Sequence, residues 1–203
     1  MIGRIEAAAR RPVSRETFDR LALYVELLRA GNEQQNLVSA KTLDDLWERH
    51  IVDCAQLVRF EPAPGAAWVD VGSGAGLPGI VAACLIEGPM LLVEPRRLRA
   101  EFLRDVVSKL GLAARVEQAK IERVTGRFDV ITGRAVTSFS HFLRLCDHLS
   151  TKNTLWVVPK GQSAQSELAE AKRSWQGVFH VEHSVTHDDS RIIVATGVGT
   201  KRQ

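Results

Sequence analysis

Three cysteines in 203 residues, a net charge of only +3 and no long apolar run set the first limits on this chain. Cys54, Cys84 and Cys146 lie far apart in apolar, helix-like contexts. They read as reduced core thiols, which excludes a disulfide framework and favours a cytoplasmic setting. The most apolar stretch, around Ile80–Ile86, is bounded by Pro78–Gly79 and Glu87–Gly88. It falls short of membrane-spanning length, so no membrane partner is expected. The opening MIGRIEAAARRP mixes charges among its apolar residues, unlike a secretory leader. Repeats and low-complexity tracts are missing, and the length suits one core with a short appendage. So mild a charge excess is compatible with nucleic acid without establishing it.

What is present divides the chain near residue 60. Phe18, Leu21, Ala22, Val25 and Leu28 recur at helical spacing behind Ser14 as a cap, and Gly31–Asn32 is the expected stop. Thr42-x-x-Asp45 reads as a capping box for a second helix through Leu46, Trp47, Ile51 and Leu57. FEPAPGA (60–66) is a Pro/Gly loop. The expectation is a helical cap over residues 1–60 packed on a core over 61–203.

In that core, apolar strand-like runs at 67–71, 90–94, 115–118, 128–132 and 154–158 alternate with helical patterns at 78–86, 96–110, 138–149 and 163–175. Gly111 stops the second of these helices. Near-continuous apolar strands alternating with helices imply a parallel sheet covered on both faces. Val178–Val185, the polar HDDS turn and Arg191–Gly197 then predict a terminal antiparallel hairpin. Five parallel strands followed by such a hairpin is the Rossmann-like architecture of class I methyltransferases. Trp47, Trp68, Trp156 and Trp175 fall on apolar faces and read as core.

The first strand runs into Asp70-Val-Gly72-Ser-Gly74-Ala-Gly76-Leu77-Pro78-Gly79. Glycines at 72, 74 and 76 allow tight turning and close approach of a ligand, and strand carboxyl ends are where such sheets bind ligands. From Gly74 the loop also reads G-x-G-x-x-G, so an NAD(P)-binding protein is the competing interpretation. Asp70 before the glycines, the G-x-G-x-G register and the closing hairpin favour S-adenosylmethionine, whose ammonium and sulfonium suit an acid. Glu94, ending the second strand, is placed to accept hydrogen bonds from ribose hydroxyls with either cofactor.

Arg96, Arg97 and Arg99 crowd the start of the next helix, where the macrodipole disfavours each exposed cation by about 0.3–1 kcal/mol. They either pair with Glu101 or Asp105 or face an anion such as RNA phosphate. After the fourth strand stands Thr132-Gly133-Arg134-Ala135, with no Asn/Asp-Pro-Pro-aromatic clamp for an amine. Cys146 lies mid-helix beside Phe142 and Leu149, out of place for a pyrimidine-attacking nucleophile. An acceptor that is already nucleophilic remains, for which catalysis is alignment. His180, His183 and His187 do not make a metal site, because strand residues three apart face opposite sides. No metal is expected.

GSGAGLPGI (72–80), RHIVDC (49–54), NLVS (36–39), EPRRLRAEFL (94–103), GRA (133–135) and PKG (159–161) resemble the bacterial 16S rRNA guanine-N7 methyltransferases of the glucose-inhibited division protein B family. The resemblance runs from about Asn32 to Gly161. Two departures stand out, Gly31 where the family often has an aromatic residue and Cys54 in place of serine. The resemblance implies S-adenosylmethionine as cofactor and 16S rRNA in the small ribosomal subunit as partner, with a monomeric enzyme. It implies cofactor contacts from Gly72, Leu77, Ile121, Glu122 and Arg134, beside the Asp70, Gly74, Gly76 and Glu94 read above. Arg134 has two possible roles, holding the methionine carboxylate or the guanine O6. Guanine N7 needs no general base. Substrate-side candidates are Arg49, His50, whose ring Asp53 one turn on is placed to orient unless it pairs with Arg49, and Lys160, read as a phosphate contact. Asn36 either caps a turn or touches substrate. A non-catalytic RNA-binding module with a vestigial pocket is the remaining alternative.

Overall fold

Strands apolar at every position need cover on both faces, and the chain supplies it in two layers. The computed structural model describes residues 1–201. Its sheet has seven strands: β1 (Trp68–Val71), β2 (Met90–Val93), β3 (Ala114–Glu117), β4 (Val130–Thr132), β5 (Leu155–Lys160), β6 (Trp175–His183) and β7 (Arg191–Thr200). Their order is β3-β2-β1-β4-β5-β7-β6. The first five are parallel, with Trp68 in register with Met90 on one side and Val130 on the other. β7 joins β5 antiparallel, and β6 pairs antiparallel with β7. A dinucleotide-binding sheet keeps all six strands parallel in the order 3-2-1-4-5-6. The inserted antiparallel strand is the hairpin that the sequence predicts.

Strand alternation sorts the core. Trp68, Leu92 and Val130 turn to one face, and Val69, Leu91 and Ile131 to the other. On the first face lie α1 (Ile2–Ala9), α2 (Arg15–Gln35), α3 (Asp53–Ala55), α4 (Gly79–Leu85) and α5 (Arg97–Leu110). On the second lie α6 (Phe139–Cys146) and α7 (Ala164–Ser174). Ile5, Leu21, Leu28, Ile51 and Leu57 share one apolar cluster with Trp68 and Ile80, so the cap helices and the sheet bury each other. Burial pushes the three thiols, Cys54, Cys84 and Cys146, up to about 12, which leaves them protonated.

Two local expectations fail, for physical reasons. α2 does not stop at Gly31 but continues to Gln35, with Asn36 in the left-handed region at φ 45° as its cap. Gly31 serves packing: a Cβ there would stand 2.7 Å from the Phe102 ring of α5. Thr42 does not open a helix through a capping box. It closes a short turn, Ala40–Thr42, and its hydroxyl donates to the carbonyl of Ser39 at 2.9 Å. The helix beyond it begins as a π turn over Trp47–Val52, passes through α3 and ends as a tighter turn over Gln56–Phe60. Ser14 and Gly111 act as read, Ser14 accepting from the Thr17 amide at 3.0 Å and Gly111 ending α5 at φ 60°. Trp68, Trp156 and Trp175 are buried, while Trp47 is partly buried and stacks on Phe18.

Two buried polar side chains fix the turn between β1 and α4. The Tyr24 hydroxyl donates to the carbonyl of Ala75 at 2.9 Å from within the cap. Asp70, fully buried, accepts the Gly79 amide on Oδ2 at 3.0 Å, while its Oδ1 has no partner among the described residues. Burial raises the Asp70 carboxyl from 3.8 to about 7, against the opposing pull of the Gly79 hydrogen bond and the Arg134 charge.

The Tyr24→Phe variant strands the Ala75 carbonyl, and a loss of about 1–3 kcal/mol in urea denaturation is expected. An unchanged midpoint would mean that the carbonyl finds another donor. For Asp70, the folded state holds a proton between pH 4 and 7 that the unfolded state has released. Its contribution to stability therefore falls as pH rises through that window, by at most about 1.4 kcal/mol per pH unit. Asp70→Asn keeps an acceptor for Gly79 and removes the titration. The stability difference between this variant and the parent should widen in favour of Asn from pH 4 to 7, and a constant difference would refute it.

Candidate active site

Residues 72–78 turn at the carboxyl end of the parallel strands, the edge at which open α/β sheets bind ligands. The backbone of this turn is held at several points. Ser73 N donates to Val93 O at 3.0 Å, and Gly76 N to Ser73 O at 2.7 Å. Gly74 N donates to Glu94 Oε2 at 2.9 Å, and Arg96 N to Glu94 Oε1 at 2.9 Å. Glu94 is only 3% exposed. Each of its oxygens has a second lone pair, so the carboxylate has acceptor positions left for a pair of ribose hydroxyls. Gly72 sits at φ 68°, where a side chain would be strained. A Cβ there would also come within 3.1 Å of Val136 Cγ2, in the loop after β4. A bare backbone is what keeps a cradle between these two loops, and together with Glu94 it fits S-adenosylmethionine. Arg99 runs alongside, its Nη1 3.5 Å from where a Gly74 Cβ would lie. Leu77 is buried in the turn, and Ile121, buried, and Glu122, exposed, follow β3 on the turn Ile121–Arg123.

Arg134 begins the loop after β4, and Ala135 behind it takes a left-handed φ of 56°. A guanidinium has only donors, so the 3.2 Å contact of Arg134 Nη1 with His50 Nδ1 makes that nitrogen the acceptor. The imidazole proton therefore lies on Nε2, which donates to Thr42 Oγ1 at 3.0 Å, and the Thr42 hydroxyl in turn donates a hydrogen bond to Ser39 O. Burial, then the Arg134 charge, lowers His50 from 6.5 to about 4. The ring is neutral at pH 7, with both nitrogens engaged. It acts as a strut for Arg134.

Beside Arg134 opens a cavity of about 480 Å³, its walls including Val136, Asp53, Gln56, Lys160 and Arg191. Its far wall is the turn of the β6–β7 hairpin, tied to the cap by a polar cluster. Asp53 Oδ1 accepts from Thr186 Oγ1 at 2.6 Å, Gln56 Nε2 at 2.8 Å and Ser184 Oγ at 3.1 Å. Gln56 Oε1 accepts the Val185 amide at 3.0 Å.

Several expected roles change. Asp70 lies beneath the glycine turn, anchoring the start of α4, and its burial keeps it from an ammonium on the open side. Asp53 pairs with neither His50 nor Arg49, because the π turn displaces it toward the hairpin and its partners come from residues 184–186. Lys160 is not a free phosphate ligand: its ammonium bridges Glu167 Oε2 at 2.7 Å and the Thr137 carbonyl at 2.6 Å. Glu167 also accepts from Ser163 Oγ and the Phe139 amide. Burial alone would raise this carboxyl, but hydrogen bonds from Lys160, Ser163 and Phe139 outweigh it and hold it below its usual range. Arg97 makes an i,i+4 pair with Glu101 at 2.7 Å, while Arg96 and Arg49 are exposed. Asn36 is an exposed helix cap whose amide donates to Asn32 O. Tyr24, Gln56, Glu167, Ser184 and Thr186 carry no signal in the sequence as site residues, since each acquires its role from a distant partner. Among the described residues no group of three or more His, Cys, Asp or Glu is placed to hold a metal ion, and no helix is long and apolar enough to cross a membrane.

Solved structures with this fold include an S-adenosylmethionine-dependent methyltransferase from Aquifex aeolicus, with a TM-score of 0.58, 16% identity and coverage of 77% of this chain and 95% of that one. A MtNAS variant in complex with S-adenosylmethionine gives a TM-score of 0.60 at 16% identity, covering 88% and 74%. At such identities the likeness is one of fold. In sequence, Ribosomal RNA small subunit methyltransferase G of Zymomonas mobilis subsp. mobilis is 41% identical over 200 residues, which is 94% of this chain and 90% of the relative. The protein of that name from Sphingopyxis alaskensis is 44% identical over 187 residues, covering 91% and 80%. Residues 17–193 match the family model GidB, rRNA small subunit methyltransferase G. With a match running from α2 into β7 and enclosing the whole glycine turn, Arg134 and the cavity, this chain belongs to the GidB family of rRNA small subunit methyltransferases.

Proposed function

We propose that this protein transfers the methyl group of S-adenosylmethionine to N7 of a guanine in 16S rRNA, acting as a cytoplasmic monomer in which cap and core work as one unit. The observation that carries this reading is that Val136 borders both the Gly72 turn and the cavity beside Arg134, so a cofactor on the turn and a base in the cavity would meet there. Bound cofactor supplies an electrophilic methyl on a sulfonium. Glu94 has acceptor positions for its ribose, and the turn around Gly72 leaves its backbone open to the remainder. Guanine N7 carries a free lone pair at neutral pH, so the chain has only to hold the base in line and exclude alternatives. His50, the only imidazole that contacts Arg134 among the described residues, is committed to Arg134 and Thr42 and stays out of proton transfer. Arg134 presents its remaining N–H groups toward the cofactor carboxylate or the guanine O6.

N7-methylguanosine is labile to borohydride followed by aniline. Treated rRNA from cells with the protein should give one enzyme-dependent primer-extension stop at a guanine, absent without it. Arg134→Ala should lower kcat/KM by about 100-fold or more, as expected when a charged group facing the reacting partners is lost. A methyl group found instead on an exocyclic amine or a pyrimidine carbon would overturn the N7 assignment.

Arg49 and Arg96, exposed and without an ion-pair partner among the described residues, are the natural phosphate ligands. Their joint replacement by Ala should leave cofactor affinity intact in calorimetry. The slope of log affinity for RNA against log salt should shrink by about 0.7–0.9 for each phosphate no longer neutralised. An unchanged slope would make them ordinary solvated side chains.

A further inference from the structure

Asp53 is held more firmly than a tether between cap and hairpin requires. Three donors converge on Oδ1, from Gln56, Ser184 and Thr186. No donor reaches Oδ2 among the described residues, and Oδ2 is not one of the buried atoms left without a partner. Asp53 also lines the cavity beside Arg134. The carboxylate is thus locked in one orientation, with one oxygen left without a donor on a residue that lines the cavity, and no cation within ion-pair distance among the described residues. The cavity's other charges are largely committed. Lys160 is bound to Glu167, and the Arg191 guanidinium donates to the carbonyls of Asp188 and Ser190.

We infer that Asp53 is a specificity-determining residue that reads the Watson–Crick edge of the target guanine, Oδ2 accepting from N1–H and N2–H. This rests on the reading that a guanine enters this cavity with N7 toward the cofactor. N7 and O6 lie on one edge of guanine, and N1–H and the 2-amino group continue around the other. A base presenting N7 to the methyl group therefore turns two donors away from it, and an ionised carboxylate accepts them without donating. Adenine would set its N1 lone pair against the same carboxylate, so a fixed Asp53 selects guanine by repulsion as well as attraction.

The test crosses two enzymes with two bases. Small-subunit particles are reconstituted from ligated rRNA carrying guanosine or inosine at the target position, inosine lacking only the 2-amino group. The parent enzyme should lose on the order of 10- to 100-fold in kcat/KM on inosine, the worth of one hydrogen bond to a charged group. Asp53→Asn should lose a similar or larger factor on guanosine and show no further loss on inosine, with cofactor affinity by calorimetry unchanged. Thr186→Val, which keeps the carboxylate but removes a donor from Oδ1, should narrow the guanosine-to-inosine gap as well. Equal rates of the parent enzyme on the two bases, or equal factors lost by Asp53→Asn on both, would overturn the assignment to Asp53. A parent enzyme that leaves guanosine N7 unmethylated would instead overturn the function proposed above.

Discussion

A backbone turn that must lie open to a ligand cannot be shielded by its own side chains, yet its amides and carbonyls need partners. That constraint organises much of this molecule. The turn from Gly72 to Gly79 takes support from three separate parts of the chain: Tyr24 from the cap, Asp70 from the strand beneath and Glu94 from the neighbouring strand. Each satisfies one backbone group that burial would otherwise leave costly. The cap is thereby part of the site, because Tyr24 reaches the turn from the middle of α2. His50 and Asp53 come from the same half of the chain and fix, respectively, Arg134 and the hairpin.

What the sequence discloses and what it conceals follow the same division. Strands, the glycine turn, the Ser14 cap and the Gly111 stop are legible because their causes lie within a few residues. The closing hairpin is legible for that reason too. Gly31 misleads because glycine has two uses, ending a helix or admitting a neighbour, and only the Phe102 ring opposite distinguishes them. Asp53 misleads because helical spacing assumes 3.6 residues per turn, and the π turn at Trp47–Val52 breaks that period. Lys160 sits at the strand end where it is expected, but its partner Glu167 belongs to the following helix, and pairing removes the charge that a phosphate would need. In each case the missing term is a partner distant in sequence or a departure from ideal helix geometry.

Two of the buried titratable groups that feel the Arg134 charge oppose one another. Asp70 gains a proton on folding and His50 loses one, Asp70 titrating near 7 and His50 near 4 in the folded chain. Between about pH 4 and 6.5 their contributions to stability have opposite slopes. Arg134 lowers both, favouring the charged Asp70 and the neutral His50. One cation thus ties the two groups together across the turn.

That arrangement bears on the chemistry. In the reaction proposed above, methyl transfer to a ring nitrogen moves a positive charge from the sulfonium to the base and creates none, so such a site needs neither a proton acceptor nor a change in its own charge. It does need room for a cationic donor and then a cationic product. A protonated His50 or an unpaired Lys160 beside Arg134 would oppose both. His50 is kept neutral by burial and by Arg134 itself, and Lys160 is neutralised by Glu167. Carboxylates at Glu94 and Asp53 stand at the cofactor turn and the cavity wall. The pairing of Lys160 with Glu167 therefore suits the proposed reaction, because a site that passes a positive charge between its ligands works best when its own cations are few and held in place.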